Sequence, residues 1–97
     1  MVEAMACGIA TLAANSSCLS EVSGGVLRYF DPYSVEDMAA CMQEVLQSQD
    51  LRSELSSRGR DRAQKFSWEF CAEETLAVLQ QVVRAAPSKA RTARAAL

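Results

Sequence analysis

The chain of 97 residues is 49% hydrophobic, 6% aromatic and 23% charged, with a formal charge of −2 at pH 7, the make-up of at most one soluble domain rather than a fibrous or disordered segment. A chain this short buries only roughly 60–65% of the surface exposed by its unfolded form, so any core is small. No run reaches the ~18 apolar residues of a membrane-spanning helix, the N-terminus lacks a secretory signal pattern, and the charge is too small to imply a nucleic-acid or membrane partner, so a cytoplasmic setting is expected.

In chain order, residues 2–7 (Val2, Glu3, Ala4, Met5, Ala6, Cys7) are compatible with a helix, and Gly8 stands where that helix would end in the left-handed conformation. Ile9 to Ala14 is a short apolar run and Asn15-Ser16-Ser17 is turn chemistry. Leu19 to Ser23 forms one helical turn, and Gly24-Gly25 leads into a second apolar run, Val26 to Phe30. Short, nearly continuous apolar runs suggest buried parallel strands, and the crossover of eleven residues, 15–25, is near the lower limit for joining them. Two short strands do not make a stable sheet in water.

The second half is helical. Residues 34–48 carry Ser34 as a cap, with Val35, Met38, Ala39, Met42, Val45 and Leu46 on one apolar face. Met38 and Met42 are expected in the core. Asp50 caps a helix over 51–65 whose apolar positions Leu51, Leu55 and Ala63 are sparse, so that it lies on the surface, with Gly59 costing about 1 kcal/mol relative to alanine if interior. Ser67 opens a third helix, anchored by Trp68 and continued by Cys71, Ala72, Leu76, Leu79 and Val83 until Pro87. Residues 1–86 are expected to form the folded portion and 87–97 a flexible basic tail.

Charge is uneven: residues 1–50 hold one base (Arg28) against seven acids, and residues 51–97 nine bases against five acids. Arg58, Arg60, Arg62 and Lys65 sit at near-alternate positions, which spread around a helix and read as a solvated face. The chain has no histidine, and its four cysteines (7, 18, 41, 71) form no C-x-x-C pair. That pattern excludes the usual zinc sites and histidine-based nucleophilic dyads. The cysteines read as reduced, small apolar fillers.

Several motifs follow one another in a specific order: Glu3-Ala4-Met5-Ala6-Cys7-Gly8, an apolar strand ending at Asn15, Leu19-Ser20-Glu21-Val22, Gly24-Gly25, a strand closing on Asp31-Pro32, and Phe66-Ser67-Trp68-Glu69. From residue 2 to about 84 this order resembles the C-terminal end of the family-4 retaining glycosyltransferases. The resemblance implies an α/β fold, a partial Rossmann-like C-terminal domain of a GT-B enzyme, with two short parallel strands followed by three amphipathic helices. It also implies transfer of a sugar (hexosyl) from a UDP-, GDP- or ADP-sugar to an acceptor. No further cofactor and no metal are implied.

By the same resemblance Glu3 matches the second glutamate of the family's E-x7-E pattern, which binds the ribose of the donor. Val2 and Ala4 lie at the helix start near the donor diphosphate, where unpaired N–H groups and a partial positive charge favour phosphate. The first glutamate of the pattern, the glycine-rich donor loop and the acceptor-binding domain would all precede Met1. No catalytic residue is therefore assigned, and the chain alone is expected to be catalytically incomplete, needing a missing N-terminal domain or a partner chain. Ala10 and Ser20 stand where the family often has proline, and Glu21 and Asp31 are read as structural acids. The alternative is a non-catalytic helical module, or a subunit that completes its sheet on a partner.

Overall fold

A computed structural model describes residues 1–87, in two compact units: Met1–Lys65, and the residues from Phe66 onward. The expected flexible tail lies outside the described residues except for Pro87. The first unit contains α1 (Val2–Ala6), β1 (Leu12–Ala14), α2 (Leu19–Ser23), β2 (Arg28–Phe30), α3 (Val35–Gln47) and α4 (Gln49–Ala63); the second contains α5 (Trp68–Ala85).

The fold class is α/β, with the two parallel strands expected of a partial Rossmann-like domain. The strands pair Leu12 with Arg28, Ala13 with Tyr29 and Ala14 with Phe30, and α2 makes the crossover between them. Each strand is three residues long, shorter than its apolar run. Gly24 explains how so short a crossover closes. It ends α2 at φ 66°, a backbone state that costs glycine nothing, and its N–H donates to the Glu21 carbonyl at 3.1 Å.

Three helices start on serine. The hydroxyl of Ser34 accepts from Asp37 N at 3.1 Å, that of Ser48 from Leu51 N at 3.1 Å, and that of Ser67 from Phe70 N at 3.0 Å. Each satisfies a first-turn N–H that the helix itself leaves without an acceptor. The cap of α4 is thus Ser48, two residues before the expected Asp50, which instead lies inside the first turn and favours the positive end of the helix dipole.

The core of the first unit is Met5, Ala13, Leu27 and Ala63, with Met1, Val2, Val26 and Tyr29 packed on it. Cys41 and Val45 are buried on α3 and Leu55 on α4. Helix α4 lies on the surface, as its sparse apolar content suggests, with three of its residues buried, and it packs against α1, α2 and α3. It does so through Leu55, Gly59 and Ala63, buried at every fourth residue. A stripe of small residues lets helix backbones approach closely, and this compensates for the shortage of large side chains. Met42 is 48% exposed and so is not a core residue, whereas Met38 is half-buried.

In the second unit no residue of α5 is buried. Trp68 is 87% exposed and does not anchor the helix. Of the cysteines, all free, only Cys41 fills a core; Cys7, Cys18 and Cys71 are exposed.

Candidate functional site

Glu3, Val2 and Ala4 stand together on the first turn of α1 because they are adjacent in sequence. The Glu3 side chain is 94% exposed, and its carboxylate lies 3.5 Å from the α-ammonium of Met1. A hydrogen bond from its own backbone N–H and then the Met1 charge hold its carboxyl below the ordinary value of 4.5. At neutral pH it is therefore an ionised, solvent-facing group that can only accept hydrogen bonds, the chemistry needed to bind vicinal hydroxyls. Val2 and Ala4 are half-buried, and the N–H groups of a first helical turn have no acceptor within the helix.

The position of α1 is set from beneath and from its C-terminal end. Met5 is completely buried against Gly59 of α4. At the other end Gly8 adopts φ 72°. Its N–H donates to the Met5 carbonyl at 3.0 Å, and the Ile9 N–H donates to Ala4 at 3.1 Å, so the chain leaves α1 by a left-handed stop. The hydroxyl of Ser56 on α4 donates to the Gly8 carbonyl at 2.5 Å. A side chain at position 8 would collide with the Arg60 guanidinium.

Of the basic residues read as a solvated face, Arg58, Arg60 and Lys65 are exposed, whereas Arg62, and Arg52 earlier on α4, close the ends of other helices. Nε and Nη2 of Arg62 donate to the carbonyls of Val22 (2.9 Å) and Glu21 (3.1 Å), closing the C-terminal end of α2. Nη1 of Arg52 does the same for α3, donating to Val45 (2.8 Å) and Leu46 (2.5 Å). Arg58 pairs with Glu54 one turn away at 2.9 Å. The sequence shows that helix ends need donors but not which arginine supplies them. A helix leaves its last carbonyls unpaired, and a nearby basic side chain is a natural donor to them.

The acids read as structural are so placed. Asp31 Oδ1 accepts from Tyr33 N at 2.9 Å, and Asp31 N donates to Asp37 Oδ2 at 2.6 Å, which fastens the turn after β2 to the start of α3. Glu21 lies exposed in the first turn of α2. Two shallow depressions flank α4. One of 260 Å³ is lined by Gly8, Ala10, Gln49, Arg52, Ser53 and Ser56, and one of 280 Å³ by Gly24, Val26, Arg58, Asp61, Arg62 and Lys65. Neither includes Glu3. Among the described residues no group of three acidic or thiol side chains could hold a metal ion, and no helix is long and apolar enough to cross a membrane.

Comparison with known proteins relates this α/β chain to glycosyltransferases. It is 34% identical over 76 residues to the O-antigen chain mannosyltransferase B of Escherichia coli, covering 78% of this chain and 20% of that protein. It is 37% identical over 67 residues to the serotype-specific mannosyltransferase WbdA of Escherichia coli, covering 69% of this chain and 8% of that protein. It is also 34% identical over 86 residues to the MMP alpha-(1->4)-mannosyltransferase of Mycolicibacterium hassiacum, covering 84% and 21%. The chain thus spans about a fifth or less of the length of these relatives. No family model matches it, and no solved structure does.

Proposed function

We propose that this chain is a segment of the nucleotide-sugar-binding domain of a family-4 retaining glycosyltransferase of the GT-B fold, acting in the cytoplasm. In this reading Glu3 accepts hydrogen bonds from the ribose hydroxyls of a UDP-, GDP- or ADP-sugar, and the N–H groups of Val2 and Ala4 lie toward the diphosphate. The observation that carries the reading is the 34% identity over 86 residues to a mannosyltransferase. The names of the relatives favour a mannosyl group as the sugar transferred. The exposed, ionised state of Glu3 and the rigid support of α1 by α4 agree with the role given to Glu3.

Positioning of donor and acceptor, together with stabilisation of the leaving diphosphate, would supply the catalysis. The segment contributes only part of that apparatus, so by itself it binds nucleotide weakly and transfers no sugar. Calorimetric titration of wild type and Glu3→Ala with UDP, GDP and ADP tests the reading. Losing a hydrogen bond to a charged group should weaken binding by about tenfold or more, and equal binding by the two proteins would remove the ribose role. Turnover of a nucleotide sugar by the same wild-type sample would overturn the claim of incompleteness.

One observation favours a second reading, a subunit that completes its sheet on another polypeptide: the sheet of the described residues has two strands of three residues, each strand an edge. An open reading frame running upstream of the Met1 codon into a glycine-rich loop, with a glutamate eight positions before Glu3, favours the first reading. An in-frame stop beside a separate neighbouring gene favours the second.

A further inference from the structure

Helix α1 is too short to hold its own direction. It has five residues, and so short a helix does not persist alone in water, so the orientation of Val2, Glu3 and Ala4 is imposed by what α1 rests on. Apolar contacts supply part of it: Met5 is completely buried against Gly59 of α4, and Met1 and Val2 pack on the core. Burial of this kind is non-directional. It fixes how deeply α1 sits on α4 and leaves its tilt and rotation loosely set.

The directional contact lies at the C-terminal end of α1. Ser56 is in the middle of α4, where a serine hydroxyl either faces water or bonds the carbonyl four residues earlier in its own helix. Here it donates instead to the Gly8 carbonyl at 2.5 Å, across 48 positions of sequence. The carbonyl of Gly8 and the N–H of Ile9 belong to one rigid, planar peptide unit, and that N–H donates to the Ala4 carbonyl at 3.1 Å. One peptide is thus bonded to α4 on one side and to a residue of the candidate donor-binding turn on the other. Hydrogen bonds weaken steeply away from linear geometry, so this relay resists rotation of α1 about its seat on Gly59. The Arg60 guanidinium, one turn further along α4, lies over Gly8 where a side chain would stand.

We propose that Ser56 is a positioning residue for the donor-binding turn: through the Gly8–Ile9 peptide it holds α1 in the orientation that presents Glu3 to the nucleotide. The proposal rests on the ribose role of Glu3.

Two measurements on the full chain test it, one of which needs no nucleotide. Residual dipolar couplings of Val2–Ala6 report the direction of α1 relative to α4. They should change in Ser56→Ala. They should stay as in wild type in Ser56→Thr, which keeps the hydroxyl, and in Ser57→Ala, which removes an exposed hydroxyl one residue away. In calorimetric titration with UDP, GDP and ADP, Ser56→Ala should weaken binding by about three- to tenfold, no more than one hydrogen bond can transmit, and Ser56→Thr should bind as wild type does. A residue that acts through Glu3 has no effect once Glu3 is gone, so Glu3→Ala/Ser56→Ala should bind as Glu3→Ala does. Where Glu3→Ala weakens binding, the ribose reading stands. Unchanged couplings in Ser56→Ala, wild-type affinity in that variant, or losses that add in the double variant would then each overturn the positioning role alone. Equal binding by wild type and Glu3→Ala removes the ribose reading instead, and the couplings by themselves decide whether Ser56 directs α1.

Discussion

Ser23 is the buried polar side chain of the first unit, with no exposed surface, yet no buried polar side-chain atom of the described residues lacks a partner. Its hydroxyl meets the carbonyls of Leu19 (2.7 Å) and Ser20 (3.3 Å) within α2, and the hydroxyl of Tyr29 on β2. The contact to Tyr29 is the one that ties the crossover helix to a strand. In Tyr29→Phe, Ser23 keeps its two backbone acceptors and the ring keeps its packing, so the loss is that of one net hydrogen bond, about 1 kcal/mol. Urea denaturation should show a lower midpoint with an unchanged slope. A midpoint equal to that of wild type would mean that water replaces the tyrosine hydroxyl at no cost.

Among the elements, α4 is the one whose mode of packing its sequence shows least. Its one glycine, at position 59, is buried against Met5, and a methyl group added there would stand 3.4 Å from Cγ, 3.5 Å from Cβ and 3.7 Å from Cα of Met5. These are ordinary van der Waals distances in a helix interior, where glycine is worse than alanine by about 1 kcal/mol. Gly59→Ala should therefore raise stability by about 0.5–1 kcal/mol, read as a higher denaturation midpoint; a lower midpoint would show that α1 and α4 need to approach still more closely. The apolar periodicity and serine caps made α3 and α5 legible in the sequence, and Gly8 made the end of α1 legible. The packing of α4 was not legible, because periodicity counts large apolar side chains and this helix is seated through Gly59, Ala63 and a single leucine. Of the four basic residues read as a solvated face, Arg58, Arg60 and Lys65 are exposed and Arg62 alone departs from that reading. A guanidinium that closes another helix looks, in sequence, like one that faces water, and only the fold brings Arg62 to the end of α2, 40 residues earlier. The candidate site was legible by resemblance alone, since an exposed glutamate near a helix start has no distinguishing pattern of its own.

Across the whole molecule, order is unevenly supported. The first unit has a core in which Met5, Ala13, Leu27 and Ala63 meet from four parts of the chain, whereas in the second unit α5 has no buried residue. Backbone hydrogen bonds are protected from exchange with solvent by burial and cooperative packing, and helices without buried contacts open at little cost in free energy. Native-state hydrogen exchange should therefore divide the chain at about residue 65. The slowest amides should be those of α4 around Leu55, Gly59 and Ala63, which open only when the first unit unfolds, while the amides of α5 should exchange by a separate, cheaper opening. Denaturant sensitivity provides the check, because global opening exposes much surface and depends steeply on urea, whereas local opening exposes little and is nearly flat. A common exchange free energy and slope for α4 and α5 would show that the two units unfold as one.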